Sequence, residues 1–219
     1  MAVARSGFDV AVHYLHSRPE AESLCSEIGG LGRRAISLQA DLSQPEQVMT
    51  LVSRVTEHGP LVGLVHNASI FEKLDWETVG LEDWNRHLMV NLTAPFLLSQ
   101  AFAHALPSGG QGRIISLLDW RLSRPGPDHL PYTISRSALA SLTKSLAIAL
   151  GPRITVNALA LGAVLPPSDG NRDSRILDNV PSGRWASLQE IDQALVFLLT
   201  GPSYVTGEIL TIDGGRHLL

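Results

Sequence analysis

The sequence predicts an α/β fold in which a doubly wound parallel sheet carries helices on both faces. Short β-rich apolar runs alternate along the chain with helical stretches, the pattern that parallel strands joined by crossover helices leave in a sequence. The 219 residues are 44% apolar and 17% charged, with no break in composition, which predicts one domain over 1–219 with a sizeable core. Neither an internal repeat nor a low-complexity tract interrupts the alternation.

Residues 1–7 read as the end of a helix closed by Gly7, and residues 8–14 as the strand that follows it. Further strands are predicted at 35–39, 61–66, 113–118, 154–160 and 209–212, and helices at 19–30, 44–58, 82–105, 133–150 and 188–199. Ser43, ahead of Gln44-Pro45-Glu46, marks one helix start. Ser187-Leu-Gln-Glu190 marks another as a capping box, in which each end satisfies the other's free backbone donor. Residues 162–184 are rich in Pro, Gly, Asp and Ser and follow a strand, where open parallel sheets bind ligands, so they predict a substrate loop.

A net charge of −4 gives no electrostatic reason to expect nucleic acid or an anionic membrane as partner. Cys25 is the one cysteine, so no internal disulfide forms, and no cation or histidine adjoins it in sequence to make it reactive. With no run of eighteen apolar residues and no leader pattern, the chain reads as cytoplasmic. The eight histidines are scattered without ligand spacing, so no metal is expected.

The most specific feature is Asp119, followed thirteen positions later by Tyr132, with Arg136 one helical turn beyond. A four-residue step puts Tyr132 and Arg136 on one helix face, where the guanidinium is expected to favour the ionised phenol. Asp119, at a strand end, faces both, or simply caps the next turn. Lys144 lies twelve residues after Tyr132, about 18 Å along a helix, too far to replace Arg136.

These residues, with Asp41-Leu42, His66-Asn67-Ala68-Ser69, Asn91 in Val-Asn-Leu-Thr-Ala-Pro, Val156-Asn157-Ala158, Val205-Thr206-Gly207 and Asp213-Gly214-Gly215, resemble the short-chain dehydrogenase/reductase family over nearly the whole chain. The resemblance implies a Rossmann-like sheet and hydride transfer with a nicotinamide cofactor. It further implies Tyr132 as proton donor, Arg136 in the place of the family lysine that lowers the tyrosine pKa and holds the nicotinamide ribose, and Asn91 in a water relay. Aspartate at 119, where most members carry serine, is similar to the pteridine and dihydromonapterin reductases. So are His66 to Ser69, and Phe71 as an aromatic that stacks on a pterin, although Phe71 also reads as a loop aromatic covering the core. Phe71, Asp119, Trp120 and Leu165 form the expected substrate-facing set.

The strand at 8–14 ends in Tyr14-Leu15-His16-Ser17-Arg18 without the acid that NAD-specific members carry, so His16, Ser17 and Arg18 favour NADP(H), unless they form an ordinary polar turn. Asp41 and Leu42 are implied to flank the adenine, and Asn67, Ala68, Ser69 and Gly162 to line the cofactor channel with Tyr132 and Arg136. Family members open with a strand and a glycine-rich turn that cradles the pyrophosphate. Neither occurs in these residues. Gly29-Gly30-Leu31-Gly32 ends a helix and does not follow a strand, so about 20–25 residues of strand, turn and helix are expected upstream. The absent strand belongs between those at 8–14 and 61–66, and two unpaired sheet edges are expected there.

The expected activity is therefore NADP-dependent reduction of a pteridine-like small molecule. The alternatives are reduction of another carbonyl compound, or a catalytically silent homologue acting as a binding protein. Family members assemble as homodimers or homotetramers through the helices at 82–105 and 133–150. Ile134, Ala138, Leu142 and Leu146 suit such a homo-oligomer, and core packing equally.

Overall fold

The computed structural model describes residues 1–164 and 174–219. Helix α1 (Ala2–Arg5) leads into β1 (Val10–Tyr14), α2 (Arg18–Gly30), β2 (Ala35–Gln39), α3 (Pro45–Thr56) and β3 (Gly63–His66). Helix α4 (Leu81–Leu88) passes through a π-helical segment, Met89–Thr93, into α5 (Ala94–Ala105). Then come β4 (Gly112–Asp119), α6 (Leu130–Leu150), β5 (Ile154–Leu161), α7 (Leu188–Thr200) and β6 (Ile209–Ile212). All paired strands are parallel, as the alternation of strands and helices predicts.

The strands form two sheets, β1-β2 and β3-β4-β5-β6. The facing edges of β1 and β3 do not pair; both line an open cavity of about 830 Å³, together with apolar side chains such as Val10, Val12, Leu38, Leu64 and Leu98. Helical cores join the sheets across this gap. On one face Leu38 of β2 and Leu64 of β3 pack on the same cluster, which includes Val48, Leu51 and Val52 of α3 and Ala94 and Leu98 of α5. On the other, α1 contacts α7 and Val3 joins the cluster around Ile115, Leu159 and Leu198.

Local signals behave as their chemistry requires. Gly7 closes α1 at φ +100°, a conformation open to glycine, and its N–H donates to the Ala4 carbonyl. The Ser187–Glu190 capping box is formed at both ends. Two expectations need correction. Helix α3 starts from Gln44 with Pro45 in its first turn, and no side chain caps it; Ser43 instead donates its N–H to Asp41 Oδ1. The helix expected over 82–105 is not continuous α-helix, because the π-segment Met89–Thr93 interrupts it where Asn91 turns inward to hydrogen-bond Ile70. Of the apolar residues on α6, Leu142 and Leu146 pack into the core, while Ile134 is 41% exposed.

Candidate active site

The carboxyl ends of β3, β4 and β5 deliver the predicted residues to one end of the four-stranded sheet. Asp119 closes β4, and its backbone is still extended as it caps the 3-10 turn Trp120–Leu122. Asp119 both caps the turn and meets Tyr132. Oδ1 accepts the Arg121 N–H at 2.8 Å, and Oδ2 accepts the Tyr132 hydroxyl at 2.9 Å. Tyr132 sits in the first turn of α6, behind Pro131, in a helix opened by His129 at φ +51°. That left-handed residue is costly for a non-glycine side chain and is held by its ring contacts.

Phe71 lies against this site. Its ring stacks on His129 at 3.9 Å and 6° between planes, and meets Tyr132 edge-on at 4.6 Å. His129 Nδ1 shares a 2.8 Å hydrogen bond with the Glu72 carbonyl, which assigns the proton to Nδ1 and fixes the ring. Sequence reasoning missed His129 altogether, because nothing in its spacing announces a helix cap that doubles as an aromatic partner. Phe71 stays 54% exposed, so it is no core cover, and it presents one edge of the site to solvent.

Arg136 is 3% exposed, and its guanidinium carbon lies 5.4 Å from the Tyr132 ring centre. It does not set the sign of the Tyr132 shift. Burial first, and then the Asp119 carboxylate, push the phenol up to about 12 against the opposing pull of Arg136. The expectation that Arg136 favours the ionised phenol holds for the direction of its pull but not for the outcome: burial and Asp119 outweigh it, and Tyr132 is a neutral hydrogen-bond donor. Arg136 also helps burial depress the neighbouring His66 to about 3, so His66 is neutral and paired with Ser99 Oγ at 3.0 Å.

Asn91 is fully buried. Its Oδ1 accepts the Ile70 N–H at 2.9 Å, and its Nδ2 donates to the Ile70 carbonyl at 3.0 Å and to Ser135 Oγ at 3.1 Å. Both amide hydrogens are committed, so its evident work is to clamp the loop that carries Ser69 and Phe71.

The other predicted positions are more dispersed. His16 and Ser17 lie exposed at the start of α2, and Arg18 is paired with Glu22 at 2.8 Å on the same helix. Asp41 accepts the Ser43 N–H, and Leu42 is buried in the core and borders the cavity, as Asn67 and Ala68 do. Ser69 is exposed and turned to the Ile70 carbonyl. A Cβ on Gly162 would stand 2.6 Å from Asp213 Cα, so glycine is required there by a close approach of two backbones. Trp120 lies under the Arg216 guanidinium at 3.8 Å. Leu165 lies outside the described residues. Of the predicted substrate loop, Ser174–Asn179 forms a 3-10 helix, and the Ser182 N–H donates to the Gly214 carbonyl at 3.0 Å.

A nicotinamide dinucleotide fits the Arg136 side of this site. Arg136 Nε and Nη1 are buried without a hydrogen-bond partner among the described residues, and a buried guanidinium left so is expensive unless acceptors such as ribose hydroxyls complete it. Among the described residues no group of three His, Cys, Asp or Glu side chains is placed to hold a metal ion, and no helix is long and apolar enough to cross a membrane.

A parallel α/β sheet with Asp, Tyr and Arg gathered at its carboxyl end defines an oxidoreductase class, and comparison with known proteins agrees. The family model described as Enoyl-(Acyl carrier protein) reductase matches residues 1–217, and the chain belongs to this short-chain dehydrogenase/reductase family. The chain is 32% identical to an uncharacterised oxidoreductase, YohF, of Escherichia coli K12, over 100% of this chain and 89% of that protein. It is 34% identical to 2-dehydro-3-deoxy-D-gluconate 5-dehydrogenase of Bacillus subtilis 168, over 98% of this chain and 87% of that one. Among solved structures, FolM alternative dihydrofolate reductase 1 from Brucella canis, complexed with NADP, superposes with a TM-score of 0.92 at 34% identity, covering 100% of this chain and 87% of that one.

Proposed function

We propose that the chain is an NADP(H)-dependent reductase of a pteridine-like substrate, with Tyr132 as proton donor. The observation that carries the reading is the Tyr132–Asp119 hydrogen bond at 2.9 Å lying beside the half-exposed ring of Phe71. Aspartate in place of serine beside the tyrosine suits a nitrogen heterocycle, whose ring N–H groups need an acceptor, and Phe71 offers a flat face for such a ring. The NADP carried by the similar FolM protein supports the cofactor, and that protein's description as an alternative dihydrofolate reductase supports the substrate class.

When bound, the cofactor supplies the hydride. Tyr132 Oη gives its proton to the reduced atom, and its raised pKa keeps it in the donor form at neutral pH. Donation leaves a phenolate beside the Asp119 carboxylate, and Arg136 is the cation placed to offset that pair. The free guanidinium N–H groups of Arg136 would hold the nicotinamide ribose. His16, Ser17 and Arg18 would lie near the adenosine 2′-phosphate, and Asp41, Leu42, Asn67, Ala68, Ser69 and Gly162 along the cofactor. Asn91 positions the loop that bears Phe71. Trp120 and the 162–184 loop, including Leu165, would complete the substrate side. The half-exposed Ile134 and the exposed Ile148 on α6, with Phe96 on α5, suit a homo-oligomer formed through those helices.

NADPH oxidation with dihydrobiopterin, set against a panel of ketones and sugar acids, tests the reading. Turnover of the pterin, lost by at least about a hundredfold in Tyr132→Phe, is the expected result; indifference to every pterin refutes it. The named activity of the Bacillus subtilis relative favours a sugar-acid carbonyl as the second reading. Failure of NADPH to bind would favour a silent binding protein.

A further inference from the structure

The chain carries a net charge of −4, yet three arginines converge beyond the end of β4. A pocket of about 270 Å³ is lined by Trp120, Arg124, Pro125, Asn179 and Arg216, beginning one residue after Asp119. It is built by distant parts of the chain. Gly214 and Gly215, at φ +65° and +87°, make a turn that no side chain would fit, since a Cβ on Gly214 would meet Ser182 Oγ and one on Gly215 would press on Pro181. That turn carries Arg216 over the Trp120 indole at 3.8 Å.

The carboxylates of the cluster match its arginines in number but do not pair with Arg216. Arg121, which also faces Trp120, is neutralised by Asp128 at 2.8 Å. The two carboxylates near Arg216 are engaged elsewhere: Asp119 with the Arg121 N–H and Tyr132, and Asp213 with His217 and the Gly215 N–H. Among the described residues neither Arg124 nor Arg216 makes an ion pair. Partial burial and the nearby Arg121 and Arg124 hold the Arg216 pKa below its usual value, against the pull of Asp119 and Asp213. A guanidinium held over an indole at this distance is preorganised, and its fork matches a carboxylate bidentately.

We propose that Arg124 and Arg216 form a subsite for a carboxylate on the substrate, so that this reductase takes an acid in preference to its neutral analogue. The proposal rests on the reading of the Asp119–Tyr132 site as catalytic. The pocket is small beside one that encloses a whole drug-sized molecule, which suits the charged end of a substrate whose reacting atom lies at Tyr132.

Two matched pairs test it by calorimetry in the presence of NADP⁺: pterin-6-carboxylate against 6-hydroxymethylpterin, and 4-carboxybenzaldehyde against its methyl ester. The expected result is an acid member bound about tenfold or more tightly than its neutral partner in at least one pair, the preference shrinking toward unity in Arg124→Gln/Arg216→Gln and weakening with salt. Arg216→Lys should retain part of it. Equal binding within both pairs, absence of binding by all four probes, or a preference that survives the double substitution overturns the proposal. Discrimination in the benzaldehyde pair with no binding by either pterin would uphold the carboxylate subsite while refuting the pteridine reading.

Discussion

Replacing Asp119 by Asn probes the site most directly, because the amide keeps the shape and the oxygen that caps Arg121 while removing the charge beside Tyr132. The rise of the Tyr132 pKa from 10.0 to about 12 corresponds to about 3 kcal/mol favouring the neutral phenol. Burial is the largest cause and survives the substitution. Asp119 comes next, through its charge and its hydrogen bond, so its removal should return on the order of 1 kcal/mol, which lowers the phenol pKa and raises its ionisation constant by about tenfold. The chain has three tyrosines, so ultraviolet titration of tyrosinate in a background lacking Tyr14 and Tyr204 isolates Tyr132. Stability provides a second measure. A phenol whose pKa is raised on folding contributes stability that is complete below pH 10 and lost as pH rises through about 12, so Asp119→Asn should flatten this alkaline loss. An unchanged or higher Tyr132 pKa in the variant would show that burial alone sets it, and the account of the Asp119–Tyr132 pair would fail.

Three further outcomes follow from other parts of the fold. His66 is buried and held neutral with a pKa near 3, so stability is complete above pH 6.5 and falls as pH drops toward 3, by up to about 1.4 kcal/mol per pH unit; thermal melts of His66→Gln should show a shallower acid slope. Ser187→Ala breaks the capping box of α7 and should cost about 1 kcal/mol, a fall in Tm of about 2–4 °C read by thermal melts. Gly162→Ala drives a Cβ into the Asp213 backbone and should cost about 1–3 kcal/mol by chemical denaturation, whereas Gly30→Ala, with nothing within 4 Å, should not destabilise.

The sequence makes some of this legible for definite reasons. The strands at 35–39 and 209–212 fall where β-rich runs are bounded by turn residues, and the capping box appears where Ser and Glu stand at the right interval. The spacing of Asp119 and Tyr132 is a strand-end-to-helix distance, and the two side chains do meet. What depends on packing was not legible. The π-segment arises because Asn91 reaches Ile70, a partner twenty-one residues away that periodicity does not encode. The direction of the Tyr132 shift is a balance of burial against two opposite charges, whereas spacing shows only the nearest cation. Arg216 meets Trp120 only because Gly214 and Gly215 fold the chain end back.

The division between β1 and β3 bears on how the molecule opens as well as on what it binds. Val10 and Tyr14 direct their backbone groups to β2, so the alternation of a parallel strand aims those of Ala11 and His13 at the cavity. By the same alternation, Val62 bonds Arg113 of β4, and Gly63 and Val65 face the cavity from the other side. Native-state hydrogen exchange should therefore run in two tiers. Amides of the central β4 and β5 should be the slowest to exchange, and those of Ala11, His13, Gly63 and Val65 among the fastest of the strand residues. The β1–β2 pair, joined to the rest through helix packing and not by strand pairing, is the part of the fold expected to open first. Its bare edge is also where one copy of the chain would template association with another as concentration rises.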